Sequence, residues 1–233
     1  MSKVSITVEE HPKLDLAAFV LQHASNPQGK GSATDLLSIE TEAIQQSPFE
    51  IHSDEDRYTT VKAAVRDLLR NGGYKPTGRG KPASEYLVKA VSSGKLGPIN
   101  PIVDTLNVVS LHSGLPISVV DLAKCNFVSG TVRAAIAPES SQYVFNASGQ
   151  TIKLDGLLCL FDDDGPCANA VKDSQRTKTS DETTSSLIVI WGTNELPGHS
   201  EKTSVWFREL IAQYGLGDCE TVLRSKVARW SPP

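Results

Sequence analysis

"INPIVDTLNVVSLHSGLPISVVDL", residues 99–122, carries apolar side chains at helical spacing and reaches a glycine after four turns. Ile102, Val103, Leu106 and Val109 recur about one turn apart, which predicts a helix with a strongly apolar face. Gly114 has the conformational freedom to end that helix, and the proline two residues later prevents its continuation. The segment therefore predicts a helix whose apolar face packs into a core.

Two polar residues stand beside this apolar stripe. Asp104 and Asn107 are three residues apart, so a helix places them side by side on one flank. Polar groups in such a setting either satisfy buried backbone groups and cap turns, or face a ligand. Both interpretations are open from the sequence.

Downstream of residue 130, short runs rich in β-branched and aromatic residues predict strands. The runs are TVRAAIA (131–137), SQYVFNA (141–147), QTIKL (150–154), GLLCLFDDDG (156–165) and SSLIVIWGT (185–193). NASGQ and DDDGP are typical of turns, and DDDG lacks the alternating acidic spacing of a calcium loop. An amphipathic helix over about 200–215 closes the chain, with Trp206, Leu210, Ile211 and Tyr214 directed inward and Gly215 as its stop.

Upstream of the opening segment, the sequence predicts a strand, three helices and a loop. VSITVEE (4–10) alternates as a strand does, LDLAAFVLQHA (14–24) predicts a short helix, and SNPQGKGSATD (25–35) predicts a loop. SDEDRYTTVKAAVRDLLRNGG (53–73) predicts a long helix capped by Ser53 and stopped at Gly72 or Gly73. PASEYLVKAVSSG (82–94) predicts another, begun by Pro82 and ended by Gly94.

Helices, then strands, then a closing helix argue for an α+β fold, which we expect to form one domain over residues 1–233. In this scheme residues 1–52 form an N-terminal strand and helix extension. The acidic balance of the chain, with a formal net charge of −4, leaves only a local basic patch for contact with RNA.

The cysteines favour free thiols in a reducing compartment. Cys125, Cys159, Cys167 and Cys219 form no Cys-x-x-Cys pair, so neither a structural zinc site nor any other metal or cofactor is expected. The first residues lack the apolar core of a signal peptide, and no apolar run approaches the roughly 20 residues that span a membrane. We expect a cytoplasmic protein without membrane contact.

The loop "GGYKPTGRGKPASEYL", residues 72–87, has the glycine spacing of a phosphate-binding Walker A loop. It follows a helix rather than a strand and lacks the Lys-Ser/Thr pair after the second glycine, so this interpretation fails. We expect the basic residues Lys75, Arg79 and Lys81 to form the rim of a ligand pocket.

Residues 99–122 resemble the B3/B4 domain, the tRNA-editing domain of the phenylalanyl-tRNA synthetase beta chain, and in particular its stand-alone relatives. The positions that match the family pattern are Asn100, Asp104, Asn107, Gly114, Pro116 and Asp121. "KDSQRT", residues 172–177, is similar to the Arg-Asp-Ser-x-Arg-Thr run of the stand-alone relatives, and Arg133 and Glu139 resemble a third segment. The resemblance covers about residues 66–192 and implies an α+β fold with a small β-sandwich of unusual topology packed by helices.

The resemblance also implies hydrolysis of the ester that joins a wrong amino acid to tRNA, with the tRNA acceptor end or a related aminoacyl ester as partner. Such hydrolysis needs a positioned water, donors aimed at the developing oxyanion, and grip on the terminal ribose. Asn107 and Asp173 are the candidate catalytic residues. The candidate substrate-binding residues are Lys81, Ser84, Ser110, Ser118, Lys172, Ser174, Arg176 and Thr177. The candidate tRNA contacts are Lys75, Arg79 and Lys81.

Two positions depart from the synthetase editing domains. Ser118 stands where those domains carry a histidine, and residues 187–192 offer no carboxylate where a late strand carries glutamate. The departures favour a different substrate, a different set of water-holding residues, or a non-catalytic module that binds tRNA or an amino-acid-like ligand. Asp121 also fits a purely structural turn, residues 172–176 fit a solvated loop, and an unrelated hydrolase on the same fold is a further alternative.

Overall fold

The structure is a computed structural model that describes residues 4–25, 47–49, 54–128 and 130–228. Its α-helices are α1 (Glu55–Arg70), α2 (Ala83–Ser92), α3 (Pro101–Ser113) and α4 (His199–Tyr214). Its strands are β1 (Ser5–Glu9), β2 (Leu14–Gln22), β3 (Ile117–Asp121), β4 (Thr131–Ile136), β5 (Gln142–Val144), β6 (Thr151–Lys153), β7 (Leu158–Asp162), β8 (Gly165–Asn169), β9 (Ser185–Thr193), β10 (Asp218–Thr221) and β11 (Leu223–Val227). Within these ranges no helix is both long enough and apolar enough to cross a bilayer.

The strands form two main sheets and a hairpin. In the four-stranded antiparallel sheet, ordered β10–β2–β9–β3, Phe19 of β2 lies opposite Ile188 of β9, and Ile117 of β3 lies opposite Ile190. The five-stranded sheet is ordered β11–β1–β4–β7–β8, with β1 parallel to both of its neighbours. β5 and β6 pair separately. The non-sequential strand order means that both main sheets join distant parts of the chain.

Strand β9 belongs to both hydrophobic cores. Leu187, Val189 and Trp191 enter the core shared with the five-stranded sheet, whereas Ile188 and Ile190 enter the core formed with the helices. Successive side chains of a strand point to opposite faces, so one strand buried on both faces links the two cores. Two facing sheets with helices covering one outer face confirm the predicted α+β class and its β-sandwich.

Residues 14–24 were predicted as a short helix, but residues 14–22 form strand β2, so that prediction is wrong. Leu16 and Val20 face the core between the sheets, and Phe19 and Leu21 face the helices. Because both faces are buried, nearly every position is apolar and the alternation of a half-exposed strand is absent. A short apolar run of this kind fits a strand or a helix until its hydrogen-bonding partners, here β9 and β10, are known.

The four helices predicted from residue 53 onward are confirmed, with one change of cap. Ser53 lies outside the described residues, and Asp54 holds the N-cap position of α1, where its carboxylate accepts hydrogen bonds from the amides of Asp56 and Arg57 at 3.0 and 3.1 Å. Most of the predicted loop 25–35 also lies outside the described residues. Gly114 ends α3 in the left-handed conformation, with φ 72°, as predicted.

The predicted strands downstream of residue 130 are confirmed, but four further strands were not predicted. β3 follows a helix within a few residues, and β8 (GPCAN) begins with residues that are poor strand formers. β10 and β11 are largely exposed and polar, so neither carries an apolar pattern. β8, β10 and β11 are therefore specified by their neighbours in the sheets rather than by their own composition, whereas the β-branched residues of β3 are compatible with a strand.

Two glycines bring the end of α1 against the turn before β7. A Cβ atom on Gly72 would lie 2.1 Å from the carbonyl oxygen of Gly156, and a Cβ on Gly156 would lie 2.1 Å from that of Gly72. Neither position has room for a side chain, because the obstructing atoms belong to backbone. This close approach places the loop that follows α1 on the five-stranded sheet.

We expect Gly72→Ala to lower the free energy of unfolding by about 2 kcal/mol or more, since the two backbone segments must separate. Urea unfolding at constant pH measures the change. Gly97→Ala is the matched control, because no atom lies within 4 Å of its added Cβ, and it should change stability by less than about 0.5 kcal/mol. Equal effects of the two substitutions would contradict the proposed close packing.

Candidate functional site

A pocket of about 350 Å³ opens between α2, α3, the start of β3 and the segment after β8. We call it the α2–α3 pocket. Its lining consists of Ala83, Tyr86, Leu87, Leu106, Asn107, Ser110, Ile117, Val171 and Lys172. Three of these, Asn107, Ser110 and Lys172, are residues that the sequence predicted for a ligand site. Most of the remaining surface is apolar, so the pocket suits a ligand with an apolar body and a few polar groups.

Helix α3 supplies the polar groups of one wall. Its start is held by Asn100, whose side-chain oxygen accepts from the amide of Val103 at 3.0 Å, and by Asp104, which accepts from the amide of Ile99 at 2.9 Å. Burial raises the pKa of Asp104. One turn later Asn107 reaches the pocket, and within the described part of the chain its amide makes no hydrogen bond to protein. This amide is therefore available to a ligand.

Asn169 organises the opposite wall. Its side-chain oxygen accepts hydrogen bonds from the amides of Val171 at 2.8 Å and Lys172 at 2.9 Å. Its amide nitrogen donates to the Tyr143 hydroxyl, which in turn donates to the carbonyl of Lys172. Three hydrogen bonds thus fix the backbone of residues 171–172, and they hold Val171 and Lys172 in the pocket lining.

Ser118 and Asp173 contact each other rather than the pocket. The Ser118 hydroxyl donates to Asp173 Oδ1 at 2.7 Å and accepts from Trp191 Nε1 at 2.9 Å. Burial raises the pKa of Asp173 to about 6, although the hydrogen bonds from Ser118 and from the amides of Asn169 and Val119 act in the opposite direction. The pair therefore joins β3, β9 and the segment that carries Lys172.

The basic loop lies at the edge of the α2–α3 pocket. Tyr86, in the lining, donates through its hydroxyl to the carbonyl of Gly78 at 3.2 Å, and the Lys81 ammonium lies 6.0 Å from the Tyr86 ring centroid. Burial lowers the pKa of Lys172, and the positive charge of Arg79 lowers it further. Arg79 and Lys81 therefore accompany Lys172 as a group of cations, and Lys75 is exposed on the same loop.

Four other predicted residues do not line the pocket. Ser84 is buried within α2, and Ser174 is buried in the segment after β8. The Thr177 hydroxyl donates to the carbonyl of Cys167 at 2.8 Å. Arg176 makes two hydrogen bonds, of 2.8 and 2.7 Å, to the carboxylate of Asp162. These four residues are therefore not gathered at the α2–α3 pocket, and their contacts with a substrate stay a prediction.

Several pocket residues were missing from the predicted site. Tyr86 and Leu87 lie on the predicted helix α2 and reach the pocket only because α2 packs beside α3. Ile117 begins a strand that the sequence did not predict, and Asn169 ends another. The one available signal was the apolar stripe of α3, which contains Leu106; nothing local distinguishes the others.

A larger groove, of about 770 Å³, lies at the turn between β1 and β2. Its buried carboxylate, Glu9, is already paired with Arg133 of β4. The groove contains none of the predicted site residues. Among the described residues, no group of three or more His, Cys, Asp or Glu side chains is placed to hold a metal ion. The α2–α3 pocket is accordingly the candidate site.

Comparisons with known proteins identify both a family and a fold. The B3/4 domain family matches residues 75–204. A crystal structure of an N-terminal fragment of the phenylalanyl-tRNA synthetase beta-subunit from Pyrococcus horikoshii is similar, with a TM-score of 0.53 and 11% identity, covering 96% of this chain and 52% of that one. This chain thus spans about half the length of that fragment, and at this identity the likeness is one of fold. No curated protein matches the chain.

The raised pKa of Asp173, about 6 against an ordinary value of 3.8, predicts a pH dependence of stability. The folded state binds this proton more tightly than the unfolded state does, so protonation favours folding. The stabilisation is complete below about pH 4 and is lost as the pH rises through about 6.

Asp173→Asn keeps an acceptor for Ser118 and removes this titration. We expect the stability of the wild-type protein relative to the variant to fall by about 2 kcal/mol between pH 4 and pH 7. Urea unfolding of both proteins over that pH range gives the difference directly. A difference that stays constant with pH would show that Asp173 does not titrate in this way.

Proposed function

The chain belongs to the B3/4 domain family, and from that premise we propose that its α2–α3 pocket binds an aminoacyl ester and hydrolyses it. The ester would be the acceptor end of a charged tRNA or a smaller aminoacyl ester of the same chemistry. The observation that carries this proposal is the meeting of Asn107, Ser110 and Lys172 on an otherwise apolar pocket. A cytoplasmic location and the absence of a metal requirement belong to the same proposal.

The apolar lining suits the acyl part of such a ligand. Leu87, Leu106, Ile117 and Val171 surround a volume of about 350 Å³, enough for an acyl group together with part of the ribose. Removing an apolar group from water contributes about 25 cal/mol per Å² of buried surface. Binding the acyl group in this way would leave the ester carbonyl close to the polar residues of α3.

The reaction would be attack of water on the ester carbonyl. A new bond forms from the water oxygen to the carbonyl carbon, the bond to the ribose oxygen breaks, and a proton passes to that oxygen. The free amide of Asn107 can donate to the oxyanion of the tetrahedral intermediate, and the ammonium of Lys172 adds positive charge nearby. Asp173 would act as a positioning residue, since it holds Ser118 and the segment that carries Lys172.

A second candidate function is binding without hydrolysis. Among the described residues that line the pocket there is no carboxylate and no imidazole, the groups that most often serve as a general base. A module that holds the acceptor end of tRNA, or an amino-acid-like ligand, would need no base. Turnover distinguishes the two candidates.

Incubation with a panel of mischarged tRNAs tests hydrolysis. We expect at least one member to lose its amino acid faster than in buffer, and Asn107→Ala to slow that reaction about 100-fold because an oxyanion donor is lost. Asn194→Ala, an exposed asparagine outside the pocket, is the matched control and should not slow it. Tight binding of charged tRNA without deacylation of any member would favour the binding module.

The basic loop is the proposed contact for the tRNA backbone. Replacing Lys75, Arg79 and Lys81 together with glutamine should weaken tRNA binding about tenfold or more at low salt. It should also reduce the slope of log affinity against log salt by about 0.7 for each single-strand phosphate that the variant no longer neutralises. Filter binding across a salt series measures both quantities.

The control removes three positive charges elsewhere by replacing Lys62, Lys153 and Lys226 with glutamine. Because the net charge of the protein falls equally, a general electrostatic effect would weaken binding in both triple variants. A specific contact predicts that the loop variant binds tRNA more weakly than the control variant does, while both variants have the same thermal stability. Unchanged binding in the loop variant would assign residues 72–82 the role of a connection alone.

A further inference from the structure

The thiols of Cys125 and Cys167 lie in contact, away from the α2–α3 pocket. Both side chains belong to the core between the sheets. Cys167 of β8 is fully buried, whereas Cys125, which follows β3, is half-buried, so solvent reaches only the second of these sulfurs. The two thiols are hydrogen-bonded to each other, and the Cys167 thiol also donates to the carbonyl of Leu160 at 3.4 Å. An accessible thiol thus touches an inaccessible one.

Hydrogen bonds of the neighbouring residues hold this contact in place. The amide of Asn126 donates to Asp162 Oδ2, in the hairpin of β7 and β8, at 3.0 Å. Arg176 donates to both carboxylate oxygens of Asp162 and, at 3.4 Å, to the carbonyl of Lys124. The residues on either side of Cys125 are therefore fixed against the hairpin that carries Cys167.

The two cysteines lie where the edges of the two sheets meet. β8 is the outer strand of the five-stranded sheet, and β3 is the outer strand of the four-stranded sheet. Only the short 3-10 turn Leu122–Lys124 separates β3 from Cys125. A covalent bond between the two sulfurs would therefore join the two sheets along one side of the sandwich.

We propose that Cys125 and Cys167 are a modification site at which hydrogen peroxide forms a disulfide. Cys125 reacts first because the oxidant can reach it, and Cys167 is the resolving thiol. A disulfide needs its sulfur atoms about 2.05 Å apart, a short displacement for two thiols that are already in contact. An accessible thiol beside a second, resolving thiol is the arrangement that redox-sensing cysteines use.

The reaction has two steps and consumes one hydrogen peroxide. The Cys125 thiolate attacks a peroxide oxygen, the O–O bond breaks, and the hydroxide that leaves takes up the thiol proton as water. The Cys167 sulfur then attacks the sulfur of the resulting sulfenic acid. The S–O bond breaks, and the hydroxyl leaves as water with the proton of the Cys167 thiol. Two thiols and one peroxide thus give one disulfide and two waters, and a thiol reductant reverses the change.

The surroundings of the cysteines support this assignment of roles. The hydrogen bond with Cys125 and burial both raise the pKa of the Cys167 thiol, while the positive charge of Arg176 lowers it. Burial likewise raises the pKa of Cys159. Buried thiols that stay protonated are inert toward oxidants, because the thiolate is the nucleophile. Cys167 therefore reacts only after its neighbour has been oxidised.

Mass spectrometry of the full chain tests the disulfide. The reduced protein is treated with a small molar excess of hydrogen peroxide, unfolded in iodoacetamide and digested. We expect two of the four cysteines to escape alkylation, in a peptide pair that is linked through Cys125 and Cys167 and separated by dithiothreitol. Alkylation of all four cysteines would overturn the proposal, as would a sulfinic acid at Cys125 beside an alkylated Cys167, or a link from Cys125 to another cysteine.

Two serine variants give the matched comparison. Cys125→Ser should abolish the linked pair, whereas Cys219→Ser, at another half-buried cysteine, should leave it unchanged. Cys167→Ser should leave a sulfenic acid at Cys125 that dimedone traps. If that core variant does not fold, the first two variants decide the question, because equal cross-linking in both of them would overturn the proposal.

Thermal unfolding shows whether the bond joins the sheets. The oxidised wild-type protein should melt about 5 °C or more above its reduced form, since a cross-link between distant parts of the chain restricts the unfolded state. Peroxide should not raise the melting temperature of Cys125→Ser. A linked protein that melts with the reduced form would overturn the role of the bond as a connection between the sheets.

Discussion

The burial of β9 on both of its faces is the constraint on which the rest of this structure depends. One face closes the core between the sheets through Leu187 and Trp191, and the other carries the helices through Ile188 and Ile190. A polar residue on either face would lie in a core without water to solvate it. Helix α3, which forms one wall of the α2–α3 pocket, shares this second core through Ile102, Leu106 and Val109, so it packs with a strand that takes no direct part in the pocket.

The second layer of organisation is a set of polar contacts between the sheets and the pocket. Trp191 of β9 donates to Ser118, Ser118 donates to Asp173, and Asn169 fixes the backbone that follows it. Buried polar groups of this kind are stabilising when each has a partner, and they favour a single arrangement of the surrounding chain. The position of Lys172 in the pocket is a consequence of these contacts.

The net charge of the chain differs from the charge close to the pocket. The chain as a whole is acidic, with a net charge of −4, yet Arg79, Lys81 and Lys172 gather around one small cavity. Potential near a surface depends on the nearest charges, because salt screens those more than about 10 Å away. A net charge that argues against broad nucleic-acid binding is therefore compatible with a local site for an anionic or neutral ligand.

The sequence alone was sufficient for elements that are specified locally. Helix α3, with its apolar stripe and its stop at Gly114, was predictable because helical periodicity and the left-handed glycine are properties of neighbouring residues. Asn107, which the family pattern places on this helix, and Ser110, a candidate substrate-binding residue, both line the pocket. Lys172 was likewise predicted from a match to the family, whereas the surroundings of its side chain were not predicted.

Only the tertiary structure decided the features that depend on distant partners. Residues 14–22 form a strand because β9 and β10 lie beside them, and a doubly buried strand has no periodic pattern of its own. The contributions of Ile117 and Asn169 to the site, one to its lining and the other to the position of its wall, likewise come from strands whose places are set by pairing. Periodicity reports the local backbone, whereas a pocket is formed by side chains that the folded chain brings together from far apart in sequence.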